Sequence, residues 1–285
     1  MDIVITPQIE QLIRSALEED IGPGDITTLS TVAAEARGKG LFRAKRDGVV
    51  AGLVLIEKIF AVLDTRVTVR CLSRDGDPVA RGTVVAEAEG PARALLMGER
   101  TALNFLQRLS GTATLTRRYV DAIKDFPCKL IDTRKTTPGF RMLEKYAVRM
   151  GGGTNHRFGL YDAALVKDNH IAAAGSIAGA VKLIRAQAPF MAKIEVECET
   201  LDEVREALAA GADVIMLDNM NTQQMAEAVR LVNKRAWIEA SGGITIENLR
   251  EVAATGVDFI SVGALTHSAP AVDFNMKIAA MKSEK

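Results

Sequence analysis

The chain has 285 residues, of which 48% are hydrophobic and 25% charged, and its 36 basic residues balance its 36 acidic residues. This length allows one large domain or two modest ones, each with a sizeable core. A balanced charge argues against a general nucleic-acid binder, because such proteins usually carry a basic excess. No nucleic-acid partner is therefore expected.

Cysteine use and hydropathy predict a cytoplasmic protein without a membrane partner. The three cysteines are widely spaced and no pair has metal-ligand spacing, which is typical of a reducing compartment. The amino-terminal residues lack the basic and apolar regions of a signal peptide. The most apolar early run, Gly52 to Leu63, is interrupted by charged residues and is too short to span a bilayer.

The first part of the chain predicts a separate α+β domain. Strand-like runs at 41–52, 66–82 and 83–93 are punctuated by Gly and Asp-Gly turns. One or two amphipathic helices are then predicted between residues 91 and 124.

From Lys129 onward, short β-branched runs alternate with helical patterns. Strands are predicted at 129–135, 164–170, 193–199, 214–219, 237–243 and 259–265. In the segments between them, helices are predicted; at 200–211, for example, Thr200 can cap the amino terminus and Gly211 can end the helix. This regular order predicts parallel strands with right-handed crossovers.

Each predicted strand carries polar residues at its carboxyl end. Such residues converge on one mouth in a barrel, whereas an open doubly wound sheet spreads them along an edge. We therefore expect an α/β barrel, although an open sheet fits the same element order. Because six strands are predicted and not eight, the barrel is expected to be incomplete.

The segment 134–157, RKTTPGFRMLEKYAVRMGGGTNHR, concentrates basic residues within a neutral chain. Thr137 and Pro138 predict the start of a helix after the strand. One stripe of that helix is basic and is predicted to face solvent or another subunit: Arg141, Lys145 and Arg149.

Another cationic group lies at the ends of two predicted strands and in the loop between them: Arg134, Lys135, His156, Arg157 and Lys167. In a parallel α/β unit these positions meet at the mouth. Arginine recognises carboxylates and phosphates through paired hydrogen bonds, and lysine acts as a mobile point charge. The pattern therefore predicts a polyanionic ligand. The alternative is a structural salt-bridge network with Asp132, Asp162 and Asp168.

Acids and glycines end the later strands. Glu197 and Asp218, together with phosphate oxygens of a substrate, suit a Mg²⁺ ion that retains water, although either acid could instead pair with a lysine. Backbone N–H groups and helix amino termini after the last two strands favour a phosphate. The residues concerned are Ser241, Gly242, Gly243, Gly263 and Ala264. These features predict a Mg²⁺-assisted enzyme that acts on a phosphorylated, highly anionic substrate.

The segment IDTRKTTPGFRMLEKYAVRMGGGTNHRFGLYDAALVKDNHI closely resembles the hallmark segment of the quinolinate phosphoribosyltransferase family. The similarity extends over nearly the whole chain, through ALEEDIGPGDITT, ERTALNFLQRLSGTATLT, KIEVECET, VIMLDN, EASGGI and ISVGALTH. It implies a decarboxylating pentosyltransferase of NAD biosynthesis. Such an enzyme joins quinolinate to phosphoribosyl pyrophosphate and releases nicotinate mononucleotide, pyrophosphate and CO₂.

The resemblance also implies an α/β fold with two domains. The first is an N-terminal α/β sandwich, residues 1–108, onto which the tail 269–285 packs back. The second is an open-faced, incomplete, seven-stranded α/β barrel, residues 109–268. The expected assembly is a homodimer, with a hexamer as the alternative.

Carried over by matching position, the resemblance implies roles for the site residues. Quinolinate is expected to contact Arg134, His156, Arg157 and Lys167, with Arg100 contributed by the partner subunit. Phosphoribosyl pyrophosphate is expected to contact Lys135, Glu197, Asp218, Ser241, Gly242, Gly243, Gly263 and Ala264. Glu197 and Asp218 would also hold Mg²⁺, and the residues expected to act in catalysis are Lys135, Lys167, Glu197 and Asp218.

Other functions fit parts of the same pattern. A paralogue associated with molybdenum transport, or a nicotinate-specific transferase, would share much of it. A Schiff-base aldolase would use Lys167 or Lys135 as its amine. A non-enzymatic anion-binding protein would have little use for Glu197 and Asp218 among its cations.

Overall fold

The computed structural model describes residues 3–280, with side chains up to residue 278. The chain divides into two compact units. The first comprises the residues up to 115, residues 138–152 and those from 269 onward, and the second comprises residues 116–137 and 153–268. The sequence-based domain boundary between residues 108 and 109 lies within a long helix, and the boundary between the units lies in that same helix, at residues 115 and 116.

The elements up to that helix are α1 (Pro7–Ile21), α2 (Ile26–Thr31), β1 (Arg37–Ala44), β2 (Gly48–Val49), α3 (Leu53–Leu63), β3 (Thr68–Cys71), β4 (Pro78–Val79), β5 (Val84–Pro91) and α4 (Ala92–Ala122). They are followed by β6 (Lys129–Ile131), α5 (Arg141–Met150), β7 (Ala164–Val166), α6 (Asp168–Ala174), α7 (Ile177–Gln187), β8 (Ile194–Cys198), α8 (Leu201–Ala209), β9 (Val214–Asp218), α9 (Thr222–Val232), β10 (Trp237–Ser241), α10 (Leu249–Ala254), β11 (Phe259–Ser261), α11 (Ala264–His267) and β12 (Phe274–Ala280).

Helix α1 illustrates how the sequence specifies a helix. The Thr6 hydroxyl accepts a hydrogen bond from the backbone N–H of Ile9 at 3.4 Å, which caps the amino terminus. Ile9, Ile13 and Leu17 recur every four residues and are buried in the core of the first unit. The helix ends at Gly22, whose φ of 52° is costly for other residues.

The first unit is built on an antiparallel sheet with the strand order β12-β1-β5-β3. Alternate residues of β1 are buried, as expected for a strand with one covered face. Phe42 of β1 meets Phe60 of α3 edge-on, with ring centroids 6.3 Å apart. Strand β12, which comes from the predicted tail, pairs with β1; residues 281–285 of that tail lie outside the described residues.

The second unit contains a parallel sheet with the strand order β6-β11-β10-β9-β8-β7. This is the order of an α/β barrel in which β6 and β7 do not pair. At the free edge of β6, Thr154 forms an isolated parallel bridge with Ile131. The predicted fold class, an N-terminal α/β domain and an open-faced α/β barrel, is confirmed. Within residues 3–280, the parallel sheet of the second unit has six strands and this bridge, whereas the resemblance implied seven strands.

The six strands predicted from Lys129 onward all form, and each begins within one residue of the predicted start. Several end earlier than predicted, because helices begin where polar residues follow the strand. Helix α6, for example, begins at Asp168, and α11 begins at Ala264. The predicted cap of α8 is confirmed, since the Thr200 hydroxyl accepts a hydrogen bond from the Glu203 N–H.

Two predictions about α5 were wrong. The helix begins at Arg141 and not at the Thr137–Pro138 pair, because Gly139 adopts a φ of 76° that interrupts a helical path. Lys145, predicted to face solvent or another subunit, is fully buried in the first unit. Its neighbour Glu144 is buried as well.

Among the residues that the structure describes, none of the helices is both long enough and apolar enough to cross a membrane.

Candidate active site

A cavity of about 550 Å³ opens at the carboxyl ends of the strands of the second unit. The predicted site residues that line it are Arg134, Lys135, His156, Arg157, Lys167, Glu197, Asp218, Ser241, Gly242 and Gly243. Its other lining residues are Thr133, Leu165, Met216, Asn219, Glu239 and Ser261. Residues that are far apart in the sequence thus face one space.

Strand register explains why these side chains meet. In the parallel sheet, Glu197 of β8, Met216 of β9 and Glu239 of β10 lie opposite one another. Two residues further along, Asp218 of β9 lies opposite Ser241 of β10. Because side chains alternate between the faces of a strand, these residues all point to the same face and line the cavity.

The backbone of Lys135 is held by threonine hydroxyls on both sides. Its N–H donates to the Thr133 hydroxyl at 3.0 Å, and its carbonyl accepts from the Thr266 hydroxyl at 2.7 Å. Gly263 does not line the cavity, but a Cβ atom added there would lie 2.9 Å from Cδ of Lys135. Gly263 therefore leaves the room that the lysine side chain occupies. Ala264 begins α11 directly after it.

Arg157 is a half-buried cation in the cavity wall. Its Nη1 donates to the carbonyl of Ala163 at 3.0 Å, which orients the guanidinium. Burial, and then the charge of Arg134, lower the pKa of Arg157. Two guanidinium groups that repel each other beside a cavity are stabilised by an anion that binds between them.

The loop that carries His156 is shaped by a buried acid. Asp132 is fully buried and accepts hydrogen bonds from the His156 backbone N–H at 2.8 Å and from Nδ2 of Asn155 at 2.6 Å. Asp162 similarly accepts from the backbone N–H groups of Phe158 and Gly159, at 2.7 and 2.9 Å. Asp132 and Asp162 therefore bind backbone N–H groups of this loop and fix its shape.

The ring of His156 lies against two buried glutamates that sequence reasoning missed as site residues. Nε2 of His156 is 2.9 Å from Oε2 of Glu195 and 3.4 Å from Oε2 of Glu239. Burial disfavours a charged His156 ring, but hydrogen bonds and charge from both glutamates outweigh burial, so the ring and the two acids together hold protons more tightly than a free imidazole does. An acid in the middle of a strand expected to be buried, as in IEVEC and WIEAS, was the available signal.

These three residues lie close enough together to share a metal ion. However, Nδ1 of His156 accepts a hydrogen bond from the backbone N–H of Arg157 at 2.7 Å. A ring whose Nδ1 is an acceptor carries its proton on Nε2. Since Nε2 is the nitrogen that faces the glutamates and a protonated nitrogen does not ligate a metal, this geometry disfavours a metal centre.

Lys167 and Glu197 form an ion pair on the cavity wall, between Nζ and Oε2. The pairing with a lysine that the sequence left open is therefore present for Glu197. Asp218 lies nearby on the adjoining strand, and its Oδ2 accepts from Nδ2 of Asn219 at 2.9 Å. Two carboxylates on neighbouring strands thus face the cavity together.

The loop after β10 has the backbone shape expected of an anion-binding turn. Gly242 and Gly243 both have positive φ, 90° and 61°. A Cβ atom on Gly242 would collide with Oδ1 of Asn219 and would lie 2.9 Å from the Asn219 backbone N. Nδ2 of Asn248 donates to the Gly243 carbonyl at 3.0 Å, which fixes the turn. Only glycine fits both the φ and the space at position 242.

Arg100 belongs to the first unit and does not line the cavity of the second. It lies on α4 and is exposed.

Comparison with known proteins agrees with this geometry. A family described as "Quinolinate phosphoribosyl transferase, N-terminal domain" matches residues 25–110, and its C-terminal domain counterpart matches residues 112–277. A protein of Bacillus subtilis (strain 168) named "Probable nicotinate-nucleotide pyrophosphorylase (carboxylating)" is 50% identical over 271 residues, which cover 95% of this chain and 93% of that protein.

Solved structures agree as well. The crystal structure of NadC from Streptococcus pyogenes is 45% identical with a TM-score of 0.94, and the match covers 98% of this chain and 100% of that one. The nicotinate-nucleotide pyrophosphorylase from Francisella tularensis is 40% identical, also with a TM-score of 0.94, over 97% of this chain and 98% of that one. The chain therefore belongs to the quinolinate phosphoribosyltransferase family.

Proposed function

We propose that this protein transfers the phosphoribosyl group of phosphoribosyl pyrophosphate to quinolinate with loss of CO₂, which yields nicotinate mononucleotide and pyrophosphate for NAD synthesis. The observation that carries the proposal is the cavity, in which cations from two segments face a pair of acids from neighbouring strands. Relatives that are 50% and 42% identical bear the name of this reaction.

The cavity's charge matches the two substrates. Quinolinate brings two carboxylates, while the donor brings a 5-phosphate and a pyrophosphate. Arginine suits planar carboxylates because its guanidinium donates paired hydrogen bonds. We assign quinolinate to Arg134, His156, Arg157 and Lys167.

The donor is assigned to the opposite side of the cavity. The turn at Ser241, Gly242 and Gly243 offers backbone N–H groups to the 5-phosphate, with Gly263 and Ala264 at the next strand end. Lys135, whose backbone is held on both sides, supplies charge toward the pyrophosphate. Glu197 and Asp218 face the ribose hydroxyls.

Glu197 and Asp218 also fit a Mg²⁺ ion. They face one cavity from adjoining strands, and two carboxylates plus substrate oxygens and water form the hard oxygen donor set that Mg²⁺ prefers. When bound, Mg²⁺ would offset negative charge on the pyrophosphate. Lys167, which pairs with Glu197, keeps that carboxylate oriented at the cavity wall.

In the reaction, the pyridine nitrogen of quinolinate forms a bond to the anomeric carbon of the donor while the bond to pyrophosphate breaks. Lys135 stabilises the charge that builds on the leaving pyrophosphate, and the nearby acids favour the cationic character of the sugar in the transition state. The arginines hold the pyridine ring so that its nitrogen faces the sugar.

Decarboxylation is expected after the new bond forms, because the resulting pyridinium can stabilise the negative charge left when the adjacent carboxylate departs as CO₂. A proton then replaces the lost carboxyl group. Quinolinate incubated with the protein but without donor should therefore release no CO₂ above the uncatalysed background. Steady CO₂ release in that mixture, measured with carboxyl-labelled quinolinate, would contradict this order.

The active assembly is proposed to be a homodimer in which Arg100 of the partner subunit completes the quinolinate site, with a hexamer of three such dimers as the larger alternative. The support is the family resemblance and the position of Arg100, which is exposed and lies outside the unit that contains the cavity.

The phosphate assignment predicts a strong effect of Gly242→Ala. The new Cβ would collide with Asn219 and strain a residue whose φ is 90°, so the turn must move. Because a displacement of about 1 Å in a positioning group can cost about 100-fold, we expect KM for phosphoribosyl pyrophosphate to rise by tens-fold. Steady-state kinetics with the donor varied would measure it.

Gly211→Ala is the matched control for that variant. Gly211 ends α8 with a φ of 80°, and a Cβ atom there would meet no other atom within 4 Å. The control carries the same kind of backbone strain but lies outside the cavity. Equal donor KM values for the two variants would refute the assignment of the turn to the phosphate.

The reaction itself is tested by parallel incubations with phosphoribosyl pyrophosphate and Mg²⁺, one containing quinolinate and the other nicotinate. We expect nicotinate mononucleotide in the quinolinate tube alone. Product from nicotinate alone would favour a nicotinate-specific transferase, and no product in either tube would favour the paralogue associated with molybdenum transport.

An aldolase is disfavoured, since the Lys167 amine is ion-paired and exposed, whereas a Schiff-base lysine is desolvated.

A further inference from the structure

The cluster of His156, Glu195 and Glu239 has no role in the reaction as described so far. Both glutamates are almost completely buried, with 5% and 2% of their surface exposed. Burying two acids side by side is unfavourable unless their charge and their hydrogen bonds are satisfied. The arrangement of protons in the cluster shows how that is achieved.

The position of one proton follows from the ring contacts of His156. Its Nδ1 accepts from the Arg157 backbone N–H, so a proton resides on Nε2 and is donated to Glu195 at 2.9 Å. A second proton on the ring would have to occupy Nδ1 and would face that N–H. Because the two acids raise the proton affinity of the cluster while Nδ1 is already an acceptor, a further proton must lie on one of the glutamates.

The buried oxygens indicate where a further proton resides. Oε1 of Glu195 and Oε1 of Glu239 are each buried and have no hydrogen-bond partner among the described residues. A proton on Glu239 supplies a donor next to these acceptors. Burial, together with the charge of Glu195, raises the pKa of Glu239 to about 7 against the opposing hydrogen bonds of His156 and Ser261, in agreement with that position.

The charged and titratable groups that surround the cluster come from several elements. Asp132 follows β6, Arg157 shares the loop with His156, and Glu195 extends from β8. The cavity in front of the cluster is lined by further charged side chains: Arg134, Lys135, Lys167, Glu197 and Asp218. Two members of the cluster, His156 and Glu239, line that cavity themselves.

We propose that Glu195 and Glu239 are positioning residues for the binding of quinolinate, in which Glu195 accepts the Nε2 proton of His156 and a protonated Glu239 closes the cluster. Together they hold the imidazole and, through the Nδ1 contact, the backbone of Arg157 in the cavity wall. The role deepens the proposed function and rests on it. Loss of the Glu239 proton would leave an additional negative charge behind the site of a dianionic substrate.

The pH profile of the wild-type enzyme and two variants tests the proposal. For the wild type, kcat/KM for quinolinate should fall by up to about tenfold per pH unit above the pKa of Glu239. Glu239→Gln offers a permanent N–H donor and no charge, so it should retain activity within about threefold at neutral pH and lose that alkaline fall. Glu195→Gln weakens a charged hydrogen bond and should raise KM for quinolinate by about tenfold or more.

Glu144→Gln is the control for a buried acid. Glu144 is fully buried in the first unit and pairs with Arg108 at 3.1 Å, so its replacement should cost stability without changing the pH profile. Thermal unfolding of all three variants separates lost stability from lost positioning. An alkaline fall that persists in Glu239→Gln, or a Glu239→Gln variant as impaired as Glu195→Gln, would overturn the proposal.

A second measurement does not depend on turnover. The chain contains three histidines, so ¹⁵N-histidine labelling yields a small set of ring signals that can be assigned with His156→Gln. We expect His156 to show the Nε2–H tautomer between pH 6 and 8 without substrate, and an imidazolium or an ordinary titration near pH 6.5 would overturn the assignment. If the wild type fails to use quinolinate while this tautomer is observed, the proposed function fails and the proton arrangement stands.

Discussion

Replacing Arg157 with alanine is expected to abolish most of the activity toward quinolinate. The guanidinium is half-buried in the cavity wall, is oriented by the Ala163 carbonyl, and lies near the second cation, Arg134. Removing one member of a desolvated charge pair costs roughly 2–5 kcal/mol. At about 1.4 kcal/mol per factor of ten, kcat/KM for quinolinate should fall by roughly 30- to 3,000-fold.

Two further variants show whether the loss reflects carboxylate recognition. Arg157→Lys retains the charge but not the planar pair of donors, so it should recover only part of the activity. Arg205→Ala removes an arginine from the exposed side of α8, where it pairs with Asp202 at 2.5 Å, and should leave kinetics unchanged. A loss below threefold for Arg157→Ala, measured with quinolinate varied at saturating donor, would show that Arg157 does not contact the carboxylates.

The barrel and most of the cavity could be predicted because parallel strands impose a strict geometry. Once short β-branched runs alternate with helices, the carboxyl ends of the strands must meet at one edge. Lys167, Glu197 and Asp218, which follow or end three successive strands, were therefore predictable neighbours, and all three line the cavity. Neither distances nor partners could be predicted, since Glu197 could equally have faced Lys135.

What the sequence could not reveal depends on tertiary packing. Lys145 occupies a helix stripe that the sequence pattern predicts to face solvent, yet its side chain is completely buried. Glu195 and Glu197 share one strand face by alternation, but only the structure shows that Glu195 lies deeper, beside His156. Several strands also end earlier than the sequence predicted, because glycines with positive φ or the starts of new helices follow them.

Mixing two inactive variants is expected to restore activity if the site is shared between subunits. Arg100→Ala should be as damaging as Arg157→Ala, because in the proposed shared site each would remove one cation from the same dicarboxylate. In a two-fold dimer of the two variants, one site lacks both arginines and the other is intact. Random reassociation of equal amounts gives mixed dimers in about half of the population, so about one quarter of wild-type activity should return.

The control for this mixture is Arg157→Ala combined with Arg134→Ala. Both residues line the cavity of a single second unit, so every site in a mixed dimer lacks one of them and no activity should return. Subunit exchange must be demonstrated in both mixtures, for example by native mass spectrometry of differently tagged chains. If exchange is complete and the Arg100→Ala mixture remains as inactive as the control, Arg100 acts within its own subunit or not at all. Recovery near one quarter would instead require Arg100 and Arg157 to act on one substrate from different chains, which no arrangement confined to a single subunit can reproduce.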